Sequence, residues 1–441
     1  MFLPPRSRAR FYGRSTNYQG VLRDAVLGRI TEGDDVAAIE RTLADYLGVR
    51  HAVCMPQARV GIYFTLSELT RRRKKVVLSP YTIHDVINMV ICAGATPVFA
   101  DIDRATCNVA TDEVARLIDD DTGAVMVTHL HGLACDIEGV TRVCRDRKVP
   151  LVEDTSQSFG ARVGGRRLGT FGDAGIYSFG MAKNVNCLYG GLVATDRDDL
   201  AATLRDELRQ LPYTDSSILL RRAGFCLTGD TITSPLFFGA ATYWAFRYGY
   251  LHEVEALNKR VRGEDAPTIK RTIPENYLRR MTPMQARLLV PQIPEVDRLA
   301  AIRVGYARIY DEGLAGIPAI LTPPLREDGS HIYLNYAIQV KDRHALLRFL
   351  MTRGRDLTVQ HMGNNADYEC YGEWHRDCPA ARATAGQVLL LPTYPGYGER
   401  EVKKNVALIQ EYFRTHAAER PHDAAGRAPV ASARAATSQR S

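Results

Sequence analysis

The chain has 441 residues, 45% of them apolar and 24% charged, enough for two or three domains with their own cores and too apolar for a disordered polypeptide. Its 57 basic side chains exceed the 50 acidic ones by seven, a surplus too thin at this length to mark a nucleic-acid partner. Nine scattered cysteines without a C-x-x-C pair exclude a disulfide scaffold or zinc ribbon and suit the reduced thiols of a cytoplasmic enzyme.

The opening Met1-Phe2-Leu3-Pro4-Pro5 reaches Arg6 before the apolar core of a secretion signal forms, so none is expected. The longest charge-free runs are 16 residues, Thr231–Phe246 and Ala383–Gly398. Both contain Pro and Gly and fall short of the ~20 apolar residues of a spanning helix, so no transmembrane segment is expected.

Residues 1–20 read as an N-terminal arm, followed by a large domain over 21–203. From Asp34 onward Val36, Ile39, Leu43, Tyr46 and Leu47 recur at helical spacing, with Gly48 at the C-terminal cap. Short apolar runs then alternate with helix-like stretches. The runs are Ala52–Met55, Val76–Leu78, Pro97–Ala100, Ala124–Thr128, Pro150–Glu153, Gly175–Ser178 and Gly191–Thr195. This alternation predicts an α/β fold with a largely parallel central sheet covered by helices. Residues 204–274 interrupt the rhythm with an aromatic-rich, helical insertion. Over 275–413 a helical region around Gln285–Tyr310, broken by Pro291 and Pro294, leads into a strand at Tyr333–Val340 and helices at Arg343–Arg353 and Glu399–Phe413. These predict a smaller C-terminal α/β domain. The Ala-, Arg-, Ser- and Pro-rich tail over 414–441 has nothing to bury and is expected to be disordered.

The chemistry concentrates in Pro150–Thr195. Leu151-Val152 delivers Glu153 and Asp154 to the carboxyl end of a buried strand, where open parallel sheets hold ligands. A second strand ends at Ser178-Phe179, and Lys183 follows in a loop flanked by Gly180, Gly190 and Gly191. An amine on such a loop can form a Schiff base. An acid, a hydroxyl and a lysine about 30 residues after the acid are the groups that pyridoxal phosphate requires: the acid keeps the ring nitrogen protonated, the hydroxyl holds phosphate and the lysine bonds to the aldehyde.

Glu153-Asp154-x-x-Gln157, Gly172-Asp173-Ala174 and Ser178-Phe179-x-x-x-Lys183-Asn184 before Gly190-Gly191 closely resemble the signature of the DegT/DnrJ/StrS family of pyridoxal-phosphate aminotransferases. The likeness extends through Ala93-Gly94-Ala95-Thr96-Pro97, His129-Leu130-His131-Gly132, Arg280-Met281-Thr282 with Gln285-Ala286, and Leu391-Pro392-x-Tyr394-Pro395. The resemblance implies fold type I of the pyridoxal-phosphate transferases. It makes Lys183 the covalent anchor and proton shuttle, Asp154 the partner of the ring nitrogen, Gln157 a contact to the ring hydroxyl and Ser178 a phosphate ligand. It also implies an amino-acid donor, commonly glutamate or glutamine, and a ketone acceptor on a nucleotide-linked sugar or a cyclitol. The active site is completed across a homodimer, with the Asn276–Met281 region contributed by the partner subunit.

Three positions depart from that pattern. Where the family has a Ser-Gly-Thr turn cradling phosphate, this chain reads Pro56-Gln57-Ala58-Arg59. Arg59 either supplies charge there or points away. The aromatic ring that stacks on the cofactor is replaced by Ile83, with His84 beside it as the candidate stacker. The family's Asn-Tyr-Arg-Met is stretched to Asn276-Tyr277-Leu278-Arg279-Arg280-Met281. The dehydratase branch exchanges the lysine for histidine, and this chain keeps Lys183, which favours transamination. A lyase or dehydratase, or a non-catalytic regulatory homologue, are the alternatives.

Weaker signals have plainer readings. His129 and His131 lack a nearby third ligand for a metal, so no metal is expected. Gly164-Gly165 suits a hairpin turn better than a phosphate loop. The basic run Arg71–Lys75 suits a solvated helix end. The aromatic stretch Pro235–Leu251 either packs on the body or the dimer partner, forms a lip over a hydrophobic or lipid-linked acceptor, or makes a membrane-surface patch flanked by Arg221-Arg222 and Arg247.

Overall fold

The computed structural model describes residues 5–11, 15–254 and 267–417. A first helix, Ser15–Val26, occupies the end of the expected arm. The next, Asp35–Leu47, buries Ile39, Leu43 and Leu47 and ends on Gly48 at φ 73°, a left-handed cap that suits a residue without Cβ.

Nine strands follow: β1 (His51–Met55), β2 (Lys75–Leu78), β3 (Thr96–Phe99), β4 (Thr122–Thr128), β5 (Leu151–Asp154), β6 (Arg162–Val163), β7 (Arg166–Arg167), β8 (Ala174–Ser178) and β9 (Gly191–Thr195). Seven form one sheet in the order β1-β9-β8-β5-β4-β2-β3. β9 alone runs against the rest. β6 and β7 pair as a separate hairpin across Gly164 and Gly165, both at positive φ, as a tight two-residue turn demands.

The sheet is buried on both faces, which is why its strands read as unbroken apolar runs. Alternate residues serve opposite cores. Val53, Met55, Ile176 and Val193 join the cluster beneath helices Ala58–Leu69, His84–Cys92 and Asp198–Arg209, while Ala52, Cys54, Tyr177 and Leu192 pack with Ile39 and Leu43. Helix Asp198–Arg209 crosses position 204, where the insertion was expected to start. Leu200, Ala201, Leu204 and Leu208 keep its apolar period on the sheet, so the departure begins after it. The aromatic segment is helical, as Ser216–Ile232 and Tyr243–Leu251 joined through a π-helical stretch Phe238–Thr242.

The region around Gln285–Tyr310 is split at its prolines, as expected, into helices Pro283–Leu289 and Val296–Leu314 with a single 3-10 turn between them. The smaller domain is an antiparallel sheet of β10 (Ile320–Leu321), β11 (Tyr336–Val340), β12 (Thr358–Val359) and β13 (Val388–Leu391), in the order β10-β11-β13-β12. Helices Val296–Leu314, Arg343–Thr352 and Glu399–Ala417 close over it around Tyr310, Ile338, Leu346 and Ile409. The last helix carries four residues of the expected tail, 414–417, and the remainder of that tail lies outside the described residues. All nine cysteines are free thiols. Among the described residues no helix is long and apolar enough to cross a membrane.

Candidate active site

β1, β2, β4, β5 and β8 deliver their carboxyl ends to one edge of the large sheet, where Ala58, Arg59, His84, Asp154, Gln157, Ser178 and Lys183 follow them. Glu153 and Asp154, adjacent in sequence, face opposite sides of the sheet. Glu153 is fully buried and accepts hydrogen bonds from the amides of Gly169 (2.8 Å), Phe171 (2.6 Å) and Gly172 (2.8 Å), with His129 Nε2 3.3 Å away. His129 Nδ1 accepts from the Cys135 amide at 3.1 Å, so the proton sits on Nε2 and faces the carboxylate. Glu153 thus pins the connection after β5. Asp154 is also buried, but its carboxylate takes only the Ser156 amide, at 3.0 Å, among the described residues.

Gln157 accepts the His131 amide at 2.8 Å. His131 is buried, neither ring nitrogen has a hydrogen-bond partner, and burial pushes its pKa down to about 4. No cluster among the described residues is built to hold a metal. Ser178 closes β8, and its Oγ lies 3.4 Å from the Gly180 amide. The loop carrying Lys183 is tied shut: Phe179 donates to Gly190 O (2.9 Å), Cys187 to Phe179 O (3.0 Å) and the Lys183 amide to Gly180 O (3.0 Å). Asn186 and Gln292 exchange hydrogen bonds at 3.0 and 2.8 Å. Gln285, reciprocally capped with Thr282, reaches Tyr189 O. The Arg280-Met281-Thr282 and Gln285-Ala286 pattern is therefore a brace under the lysine loop.

Ala58 opens helix Ala58–Leu69, and neither its amide nor that of Arg59 finds a backbone acceptor among the described residues, the usual state of a first helical turn and a ready seat for an anion. Gly191 brings β9 against this turn so closely that a Cβ there would lie 2.5 Å from Ala58 N. The Arg59 guanidinium turns to Asp85, donates to Tyr277 Oη at 3.0 Å and lies 5.1 Å from that ring's centre. Lys270 also binds Asp85. Burial alone would raise the Asp85 pKa, but Arg59 and Lys270 outweigh it and hold the carboxyl below its ordinary range. His84 begins helix His84–Cys92 and is half-buried. Asn276 stands exposed in the turn Glu275–Tyr277, and it is Tyr277, not Asn276, that reaches the edge of its own chain. Asp85, Lys270 and Tyr277 carry no mark in the sequence: Lys270 lies 185 positions from Asp85. Arg222 was equally silent as a site residue, yet its guanidinium sits 3.4 Å from the centre of the Tyr189 ring on the lysine loop.

This strand order, with an aspartate closing one strand and a lysine loop after its neighbour, is an α/β architecture of fold type I, the fold of the pyridoxal-phosphate transferases. The chain belongs to the DegT/DnrJ/EryC1/StrS aminotransferase family, whose model matches residues 15–226 and 255–410. It is 25% identical over 392 residues to a GDP-perosamine synthase of Vibrio cholerae, covering 87% of this chain and 92% of that protein. Among solved structures it resembles S. venezuelae DesV, determined in complex with a ketimine intermediate, with TM-score 0.73, 23% identity and coverage of 93% and 98% of the two chains. It also resembles Helicobacter pylori PseC, an aminotransferase involved in the biosynthesis of pseudoaminic acid, with TM-score 0.72, 18% identity and coverage of 93% and 100%.

Proposed function

We propose that the chain is a pyridoxal-phosphate aminotransferase that moves an amino group from an amino acid, glutamate or glutamine, to the ketone of a nucleotide-linked sugar or a cyclitol. The product would serve glycan or secondary-metabolite synthesis, and the enzyme would act as a homodimer. The observation that carries this reading is the meeting, at one sheet edge, of a buried carboxylate (Asp154), a closed loop bearing an amine (Lys183) and a helix start with unused amides (Ala58, Arg59). A phosphorylated pyridine aldehyde needs these three groups. The sugar acceptor is supported by the perosamine synthase and by the pseudoaminic acid aminotransferase.

The bound cofactor supplies an electron-withdrawing ring that makes a carbon-bound proton acidic. Asp154 would hold the proton on the ring nitrogen. Its burial keeps water from competing for that contact. Ser178 and the Ala58 and Arg59 amides would hold the phosphate, and Gln157, oriented by the His131 amide, would meet the ring hydroxyl. Lys183 would hold the aldehyde and, with its amine free, would serve as the base that moves the proton from the donor's α-carbon. The brace through Asn186, Gln285 and Gln292 keeps its loop in register.

Borohydride reduction of the reconstituted protein should leave the cofactor on the Lys183 peptide, and Lys183→Ala should lose both that adduct and turnover of glutamate with a keto-sugar. Turnover surviving in Lys183→Ala, or an adduct on another lysine, refutes the assignment. Release of water or ammonia without amine transfer moves the chain to the lyases.

A further inference from the structure

Thirteen large apolar side chains remain exposed among the described residues, and eleven of them stand on two adjoining stretches, Leu22–Leu27 and Leu220–Tyr248. The second stretch is a broken helical segment whose inward side chains are already covered. Leu219, Ala223, Cys226, Phe238 and Tyr243 are buried, and the Tyr243 hydroxyl donates to Met351 O. Its outer side is a second apolar face. Leu236, Phe237, Ala240, Ala241, Trp244 and Tyr248 recur at helical spacing, all exposed, with Leu236 at 80% and Trp244 at 48%. The family model's matches leave out residues 227–254.

Charge selects what covers it. Between residues 216 and 252 the sole acidic side chain is Asp230. It is buried and occupied by Tyr18 Oη (2.6 Å) and the Phe11 amide (3.2 Å). Arg221 is exposed on the same segment and Arg247 lies 5.5 Å from the centre of the Trp244 ring, whereas Arg222 turns inward to Tyr189. A second copy could cover this face only by bringing carboxylates to these arginines from elsewhere on its own surface. An anionic bilayer surface instead matches both features at once: apolar side chains enter the acyl boundary, tryptophan and tyrosine sit at headgroup depth and guanidinium groups meet phosphates.

We infer that the helical segment Ser216–Leu251 docks the protein on anionic lipid, lying in the headgroup layer without crossing it. Intact protein should sediment with vesicles of phosphatidylcholine and phosphatidylglycerol, stay in solution with phosphatidylcholine alone, and be released by salt. Leu236→Glu/Phe237→Glu should abolish binding, and Arg221→Gln and Arg247→Gln should each weaken it about fivefold. Thermal midpoint and turnover of soluble substrates should stay unchanged in all of these variants. Failure to sediment with anionic vesicles, or sedimentation indifferent to both classes of variant, overturns the inference. So does lipid-free self-association that Leu236→Glu/Phe237→Glu removes, because the second copy would then be the occupant.

Discussion

Replacing Asp85 by asparagine tests whether the polar knot beside the helix start is a stabilising element. Asp85 gathers Arg59, Lys270, Tyr277 Oη at 3.3 Å and Asn88 Nδ2 at 3.5 Å around one carboxylate that is 10% exposed. Each charge-assisted hydrogen bond is worth about 1.5–3 kcal/mol when buried. Arg59 and Lys270, however, retain 27% and 26% exposure and recover water once the negative charge is gone, and asparagine still offers one acceptor. The net loss should be about 2 kcal/mol, or about 2 °C in the thermal midpoint. Because the folded pKa of Asp85 is depressed, its stabilisation is complete above the unfolded value and is lost as pH falls through the folded one. The gap between wild type and Asp85→Asn should therefore be full at neutral pH and close below about pH 4. Urea unfolding across pH, with Lys270→Met alone and combined with Asp85→Asn, supplies the check. Lys270→Met should cost about 1 kcal/mol less in the Asp85→Asn background. Equal midpoints at neutral pH, or strictly additive substitutions, refute the reasoning.

Gly191→Ala drives a Cβ to 2.5 Å from Ala58 N and 2.7 Å from Gln57 C, backbone atoms that cannot rotate aside. It should cost about 1–3 kcal/mol and, by shifting the first helical turn, weaken cofactor retention on dialysis; unchanged retention would separate that turn from phosphate binding. Gln285→Ala removes a reciprocal cap with Thr282 and the bond to Tyr189 O. A loss of about 1–2 kcal/mol in unfolding is expected, with kcat falling more than KM because the lysine loop, not the substrate pocket, loses its brace.

The parallel sheet was legible because strands buried on both faces leave unbroken apolar runs, and Gly48, Pro291 and Pro294 punctuated the helices where the chain turns or splits. The placing of Asp154, Ser178 and Lys183 at one sheet edge was legible because each ends or closely follows a nearby apolar run. Glu153 looked equivalent to Asp154 and is not. Strand alternation separates the two sides, but only the return of Gly169–Gly172 beneath the strand shows which side is structural. The turn of Arg59 toward Asp85 depended on Lys270 and Tyr277 coming back from the far end of the insertion, which no local pattern encodes.

The aromatic segment was opaque for a related reason. Helical periodicity identifies a buried face by contrast with a polar one, and Ser216–Ile232 offers little contrast: Leu219, Ala223 and Cys226 point inward while Leu220, Phe225 and Leu227 point out. A helix apolar on both sides is stable in water only if each side has a neighbour. Inside, that neighbour is the body of the protein, where the Phe11 ring rests on Gly229 and Asp230 holds Tyr18. The same helix carries Arg222 against Tyr189 of the lysine loop, so the element that offers an uncovered apolar face also borders the candidate active site. The outer face has no covering group among the described residues, and the physics that closes the inner face requires one for the outer face as well.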